Sequence, residues 1–356
     1  MIVENAKEQD ISCPSHDMRR LPIYFILDVS ESMCGPAHDQ LQTALQAIVA
    51  DLRTDPQALE TFHVSIVAFA GRAKTLVPLT EINVFVPPEL PLGGGTALGS
   101  ALQHLFQSFE RDLRKPSTTQ KGDWKPLVFL LTDGHPTDDV SPALKAWNDK
   151  YRRLCRLVAV SIGGQADHTL LHRFTEEVVA FDPSAPAAYA RFAKWVSRSI
   201  GVSSQAVERG VEVSVAENEA LATDAPIQLV KKNHGGIAAV DQRFVFLIGR
   251  CSSSKRPYIL KFGKESGSKQ YECEFSGSLP DNYFDFTEGD SAAVVNTQEL
   301  GEAPCCPLCE SKFSINLCRC GRMHCSDIEE GEHTCPWCNA RDYYAPNHFD
   351  IGRGAG

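Results

Sequence analysis

Up to about residue 200, short and largely apolar runs alternate with longer stretches whose apolar residues recur every three or four places. LPIYFIL (21–27), HVSIVAFA (63–70), PLVFLL (126–131) and RLVAVSI (156–162) predict strands, with weaker candidates at 73–79 and 178–181. DQLQTALQAIVADLRT, ALGSALQHLFQSFERDL and SPALKAWNDKYRRL predict helices between them. Strands as uniformly apolar as PLVFLL have no solvent face, so they belong in a mostly parallel sheet with helices on both sides. The pattern predicts a doubly wound α/β fold of Rossmann-like layout.

Beyond FAKWVSRSI the texture changes. SSQAVERGVEVSVAENEALATDAP is polar and reads as a linker, while RFVFLIGR, RPYILKFG and YECEF are strand-like and separated by GKESGSK and SGSLPDN, which have hairpin composition. The predicted divisions are an N-terminal extension (1–19), the α/β domain (20–201), a linker (202–226), a small β-rich module (227–300), a cysteine-rich module (301–345) and a tail (346–356). The α/β domain and the cysteine-rich module are expected to fold on separate cores.

Composition narrows the class. With 356 residues, 43% hydrophobic and 22% charged, the chain is globular and long enough for roughly two or three domains. No apolar run approaches the ~18 residues of a membrane span, and the first twenty residues lack the apolar core of a signal peptide, which predicts a cytoplasmic protein without membrane contact. A net charge of -10 gives no general attraction to nucleic acid. Of the 13 cysteines, eight crowd into residues 305–338, a distribution that fits metal binding in a reducing compartment better than a disulfide scaffold.

Ligands of open parallel sheets bind at the carboxyl ends of the strands. Three segments have that address: DVSES after the first strand, LGGGT before a helix, and LLTDG at the end of PLVFLL. They bring together Asp28, Ser30, Ser32, Thr96 and Asp133, two carboxylates and three hydroxyls, which are hard oxygen donors suited to Mg²⁺ or another divalent ion. Asp and Ser after a strand also serve as turn and cap residues, and Thr96 is a candidate N-cap of its helix. Asp138 and Asp139 read as caps of the helix that follows them.

These residues resemble the metal-ion-dependent adhesion site of von Willebrand factor A domains, whose pattern is Asp-x-Ser-x-Ser, a distant Thr, and an Asp in a Thr-Asp-Gly turn. By that resemblance Ser30, Ser32 and Thr96 contact the ion, with Asp28 and Asp133 direct or water-bridged, and a partner's acidic side chain completes the coordination. The rim loops after 33, 71 and 134 are expected to form the interface. Glu31 stands where the family commonly has Gly, and its acid is expected on the rim, repelling acidic partners.

CCPLCESKFSINLCRCGRMHCSDIEEGEHTCPWC carries two knuckles, Cys306-x2-Cys309 and Cys335-x2-Cys338, with Cys318-x-Cys320 and His324-Cys325 between them. Eight such ligands suit two closed tetrahedral Zn²⁺ sites, and a segment with few aliphatic residues needs such staples to fold. Either the outer knuckles join, as in a zinc ribbon, with the inner four on a second ion, or the pairs interleave as in RING domains. Cys305 is an alternative to Cys306, and His333 is a spare ligand. Residues 301–341 hold four Lys or Arg against six Asp or Glu, the wrong balance for a phosphate-binding surface.

Signs of catalysis are absent. There is no G-x-x-x-x-G-K-[ST], G-x-S-x-G or H-E-x-x-H, and no third carboxylate or neighbouring His accompanies the strand-end oxygens. The remaining cysteines, 13, 34, 155, 251 and 273, read as buried or free thiols, with Cys34 the one candidate for redox sensitivity. KGDWKPLVFLLTDGHPTDD, FAKWVSRSI and the terminal CPWC together resemble the TerY family named for tellurium resistance. That resemblance implies a non-catalytic scaffold or adaptor working with a protein kinase and a PP2C-type phosphatase in bacterial stress or defence signalling. Two other readings are a RING-like ubiquitin-ligase type and an A-domain cofactor of an ATPase motor.

Overall fold

In the computed structural model, which describes residues 19–118, 120–163, 166–185, 187–209, 227–230, 243–265, 267–288 and 294–352, the apolar runs of the first half lie side by side in one sheet. Its strands are β1 (Leu21–Asp28), β2 (Phe62–Phe69), β3 (Ala73–Glu81), β4 (Leu127–Thr132), β5 (Arg156–Ile162), β6 (Val178–Phe181) and β7 (Ile227–Leu229). Their order is β3-β2-β1-β4-β5-β6-β7. The strands from β2 to β6 run parallel, and β3 and β7 are antiparallel edges. Every residue of β1, β2 and β4 is buried, which is why these runs show no polar alternation.

The helices are α1 (Pro36–Leu52), α2 (Pro56–Thr61), α3 (Leu98–Asp112), α4 (Ser141–Ala146), α5 (Arg152–Leu154), α6 (His168–Phe174) and α7 (Ala188–Glu208), with a π-helical turn joining α4 to α5. Alternation along β1 feeds two cores. Phe25 and Leu27 meet Leu45 and Ile48 of α1 and Phe192 and Val196 of α7 on one face. Tyr24 and Ile26 meet Leu102 and Leu105 of α3 and Phe174 of α6 on the other. Among the described residues no helix is long and apolar enough to cross a membrane.

Two predicted boundaries shift. The last helix of the α/β domain runs on to Glu208, past residue 201, because its amphipathic pattern continues into what reads as linker. Ile227–Leu229 pairs with β6, so these residues extend the first sheet instead of opening the β-rich module. The rest of the predicted linker, 210–226, lies outside the described residues, as does the N-terminal extension apart from residue 19.

The second half comprises β8 (Phe244–Arg250), β9 (Pro257–Gly263), β10 (Glu272–Ser278), the short helix α8 (Tyr283–Phe286), β11 (Val294–Asn296), β12 (Phe313–Leu317), β13 (Met323–Ser326), β14 (Gly331–Thr334), β15 (Arg341–Tyr344) and β16 (Asp350–Gly352). The division at residue 300 does not hold, because β13 pairs in parallel with β8 inside one sheet of order β10-β9-β8-β13-β12. The predicted tail supplies β16, which pairs with β11. Val245, Leu260 and Phe262 share a core with Cys306, Cys325 and Ile351, so the β-rich and cysteine-rich stretches form one module. That module also shares a core with the α/β domain: Cys34 and Leu92 pack against Phe246, Ile259, Leu279 and Tyr283. The expectation of fully separate cores therefore fails at this seam.

Phe129 is fully buried, stacked on Phe25 with ring centroids 5.4 Å apart and edge-on to Trp195 at 6.2 Å. Phe129→Ala is expected to cost about 3–5 kcal/mol of stability, the range for emptying an aromatic site in a close-packed core. Urea unfolding of wild type and variant measures it, and a loss well under that range would mean the sheet and α7 collapse into the space.

Candidate metal sites

β1 ends at Asp28, β4 ends one residue before Asp133, and loop 93–95 leads to Thr96, so three loops meet at one sheet edge. Asp28 is buried; its Oδ1 accepts the Ser30 N–H at 3.1 Å and its Oδ2 the Thr132 hydroxyl at 2.6 Å. The Ser30 and Ser32 hydroxyl oxygens are 2.9 Å apart, and Ser32 donates to Asp133 Oδ1 at 2.8 Å. Four of the five predicted ligands thus form one hydrogen-bonded chain. Thr96 is held beside them by reciprocal bonds with Thr137: its N–H donates to Thr137 Oγ1 at 3.0 Å, and the Thr137 N–H donates to its carbonyl at 2.9 Å.

The Thr96 hydroxyl itself is buried and has no hydrogen-bond partner. It is not the cap of α3, whose N-cap is Ala97. Capping falls to Asp138, which accepts the N–H groups of Gly99 at 3.0 Å and Ser100 at 2.8 Å. Asp139 accepts the Ser141 N–H at 2.9 Å at the start of α4, whose N-cap is Val140, so the two acids serve different helices. A buried unsatisfied hydroxyl costs about 1–3 kcal/mol, and a cation among these five oxygens would give Thr96 its missing contact.

The carboxylates point the same way. Burial, reinforced for Asp28 by the neighbouring Asp133, pushes both above the ordinary carboxylate range. Each group then lowers stability progressively as pH rises from about 4 towards neutrality, where the unfolded chain would ionise freely and the folded one resists. A bound divalent cation would remove that cost by pairing with both charges.

Glu31 is not on the rim. It is buried, its Oε1 accepts the Tyr283 hydroxyl at 2.7 Å, and its Oε2 accepts the Gly95 N–H at 3.3 Å. Burial and the adjoining Glu31 charge hold the Tyr283 phenol far above its usual pKa, so Tyr283 is the donor. Cys34 lies under the same module, and burial pushes its thiol up to about 12, which removes the thiolate that redox sensing needs.

In the second module the sulfurs of Cys318, Cys320, Cys335 and Cys338 lie within 4.8 Å of one another, and so do those of Cys251, Cys306, Cys309 and Cys325. Sulfurs at the corners of a tetrahedron with Zn–S near 2.3 Å would be about 3.8 Å apart. The Cys318–Cys338 and Cys309–Cys325 separations are 3.6 Å, and Cys320–Cys335 is 3.9 Å. Backbone N–H groups point at the sulfurs, Ser252 to Cys325 at 3.2 Å and Trp337 to Cys335 at 3.4 Å, as they do where thiolates carry charge. The pairs interleave along the chain, and the ribbon grouping of the two outer knuckles is not formed.

Of the eight cysteine and histidine ligands predicted here, His324 is misplaced. It neighbours Cys325 in β13, and successive strand residues face opposite sides, so the two cannot share one ion. His324 Nδ1 lies 3.0 Å from the Cys325 carbonyl, and its ring stacks on His333 with centroids 5.2 Å apart. Cys251 takes the fourth place. The register pairing Arg250 with His324 sets it beside Cys325, in the turn between β8 and β9. It lies 55 residues before Cys306 without a knuckle around it, so spacing along the chain gave no signal for it. Cys305 is exposed and outside both groups. His333 instead has its Nε2 2.9 Å from the Ser252 hydroxyl.

Residues 23–192 match the family model of the von Willebrand factor type A domain, and residues 241–356 match that of the TerY-C metal binding domain. The chain has the architecture of the TerY family. The TerY-C match spans both stretches that sequence patterning had divided at residue 300, in keeping with their single sheet. Human inter-alpha-trypsin inhibitor heavy chain H6 is 28% identical over 167 residues, 44% of this chain and 12% of that protein. Mouse heavy chain H2 is 27% identical over 170 residues, 44% of this chain and 17% of that protein. The chain therefore spans less than a fifth of the curated relatives it matches. Among solved structures, proximal thread matrix protein 1 from the mussel byssus, in a form with a zinc-occupied MIDAS motif, is 19% identical, covering 52% of this chain and 46% of its own with a TM-score of 0.36. A von Willebrand factor type A protein from Catenulispora acidiphila is 14% identical, covering 76% and 68% with a TM-score of 0.37.

Metal analysis of protein never exposed to chelator is expected to find two thiophilic ions per chain. Cys251→Ser should lose one of them and His324→Asn neither, the reverse of what a His324 ligand would give. An unchanged count in the Cys251 variant would remove that cysteine from the site.

Proposed function

We propose that this TerY-family chain is a non-catalytic, metal-dependent scaffold, with Mg²⁺ at the strand-end site and Zn²⁺ in the two four-cysteine sites. The observation that carries the reading is the Thr96 hydroxyl, buried without a partner beside Asp28, Ser30, Ser32 and Asp133. Only two of these five side chains are acids, so a Mg²⁺ ion held there would retain the capacity to take a partner's carboxylate in place of a water. The four-cysteine sites are closed, which suits a structural role. Glu31, the acid adjoining the strand-end oxygens, is engaged by Tyr283 and Gly95, which supports a role other than general base.

The proposed partners are a protein kinase and a PP2C-type phosphatase in a cytoplasmic stress or tellurite-resistance pathway, in line with the family resemblance. The interleaved cysteine pairs share a feature with RING modules, but the fourth ligand of one site comes from the β8–β9 turn, outside the cysteine-rich run. That departure favours the scaffold over a ubiquitin-ligase type.

Binding of the purified kinase and phosphatase should require Mg²⁺. It should fall on the order of tenfold or more with Ser32→Ala, an effect of about 1.4 kcal/mol or above, while circular dichroism stays native. Binding unchanged by both EDTA and Ser32→Ala would place the docking surface elsewhere, and turnover abolished by Asp133→Ala would overturn the non-catalytic assignment.

A further inference from the structure

The loops expected to receive a partner are in part already occupied by the chain itself. Tyr283 reaches Glu31, the Thr287 hydroxyl accepts the Gly94 N–H at 2.9 Å, and the Phe286 carbonyl accepts the Arg72 N–H at 3.0 Å. Ion pairs flank these bonds, Lys74 with Asp285 at 3.6 Å and Arg72 with Glu288 at 3.4 Å. The glycines of the rim are shaped to the same segment. A Cβ at Gly71 would stand 2.5 Å from the Glu288 nitrogen, one at Gly93 2.5 Å from Phe286 Cβ, and one at Gly94 2.9 Å from Thr287 Cγ2. The Lys261 ammonium on β9 is close enough to offset part of the burial effect on both Asp133 and Cys34.

The far side of α8 is tied to a cysteine site. Phe284 meets the Trp337 ring edge-on at 5.7 Å, and Trp337 lies inside the Cys335–Cys338 knuckle, its indole N–H donating to the Met323 carbonyl at 2.7 Å. Four consecutive residues thus bridge the strand-end site and a metal-binding knuckle. The hydrogen bonds of Thr137, Asp138 and Asp139 run within the A domain, so the contacts with the module gather on the Glu31 side of the rim.

We infer that segment 279–288 is a cap docked in cis on the adhesion face, latched by Glu31–Tyr283 and braced by the Trp337 knuckle, and that an acidic protein partner reaches the strand-end site by displacing it. The docking stands on the contacts alone, whereas the gating of a partner rests on the proposed metal site. Glu31 is then a specificity residue that selects the chain's own tyrosine for this face. Loss of metal from the Cys318–Cys338 group would free Trp337 and loosen the cap.

Cys34, buried in the seam, reports docking directly, with exposed Cys305 as internal reference. Alkylation of the full-length, metal-loaded chain, followed site by site by peptide mass spectrometry, should label Cys34 far more slowly than Cys305. Tyr283→Phe, Glu31→Gln and Trp337→Ala should each speed Cys34 labelling on the order of tenfold, the scale of losing one charge-assisted or aromatic contact. The Glu31→Gln substitution keeps the side-chain shape, so it remains informative if Trp337→Ala disturbs its module. Cys34 labelled as fast as Cys305 in wild type, or unaffected by all three substitutions, overturns the cap. Mn²⁺, read by water-proton relaxation, tests the gate: the bound ion should show more exchangeable water in Tyr283→Phe than in wild type. Equal relaxation in the two refutes gating, and no Mn²⁺ bound in either refutes the metal site and the gate together while Cys34 still decides the cap.

Discussion

A carboxylate taken out of water must find donors, and Glu31 finds its principal one 252 residues away in Tyr283. Within the A domain the Glu31 Oε2 accepts the Gly95 N–H at 3.3 Å. With Tyr283 in place it is buried, and the two halves of the chain become one folded body around it. Such a bond between an ionised acceptor and a phenol is worth about 1.5–3 kcal/mol, more than an ordinary neutral pair. Breaking it by removing one partner also leaves a buried charge behind, which makes the seam sensitive to a single atom.

Backbone shape around that bond follows from the same constraint. The LGGGT loop is no phosphate cradle; Gly93 and Gly94 let Phe286 and Thr287 approach closer than any side chain would allow. Gly95 has a further role, since its φ of 88° turns the chain so that its N–H meets Glu31 and Thr96 enters the site. Phe275 of β10 reaches the loop that follows Glu31, where a Cβ at Gly35 would come 3.3 Å from its ring. The loops that carry the strand-end oxygens are therefore contacted by the second module.

The second module is built around its cysteines as much as around its apolar residues. Cys306 and Cys325 lie in the same core as Val245, Leu247 and Leu260, so metal would close this core as well as tie the strands. Arg250 and Arg322 lie over the Trp337 ring at 4.0 and 4.8 Å, holding the knuckle that contacts α8. A perturbation at those sulfurs has a short physical path to the A domain, through Trp337, Phe284 and Tyr283.

What the amino-acid sequence by itself determined was whatever repeats over a few residues. Short, largely apolar runs specify the strands, apolar residues every three or four places specify the helices, and together they specify the doubly wound class, because burial on both faces leaves its mark on every position of PLVFLL. Asp28, Ser30, Ser32, Thr96 and Asp133 were legible as a set because each ends a recognisable strand or opens a helix, and topology sends such ends to one edge. The two knuckles were legible from their spacing. Tertiary structure decided what depends on pairing across long separations. Strand parity turns His324 away from Cys325, and the β8–β13 register brings Cys251 in its place, neither of which spacing along the chain reveals. Glu31 reads locally as one more rim acid, and only the packing of α8 against the A domain makes it the buried partner of a tyrosine, because burial is set by what folds over a residue and not by its neighbours in sequence.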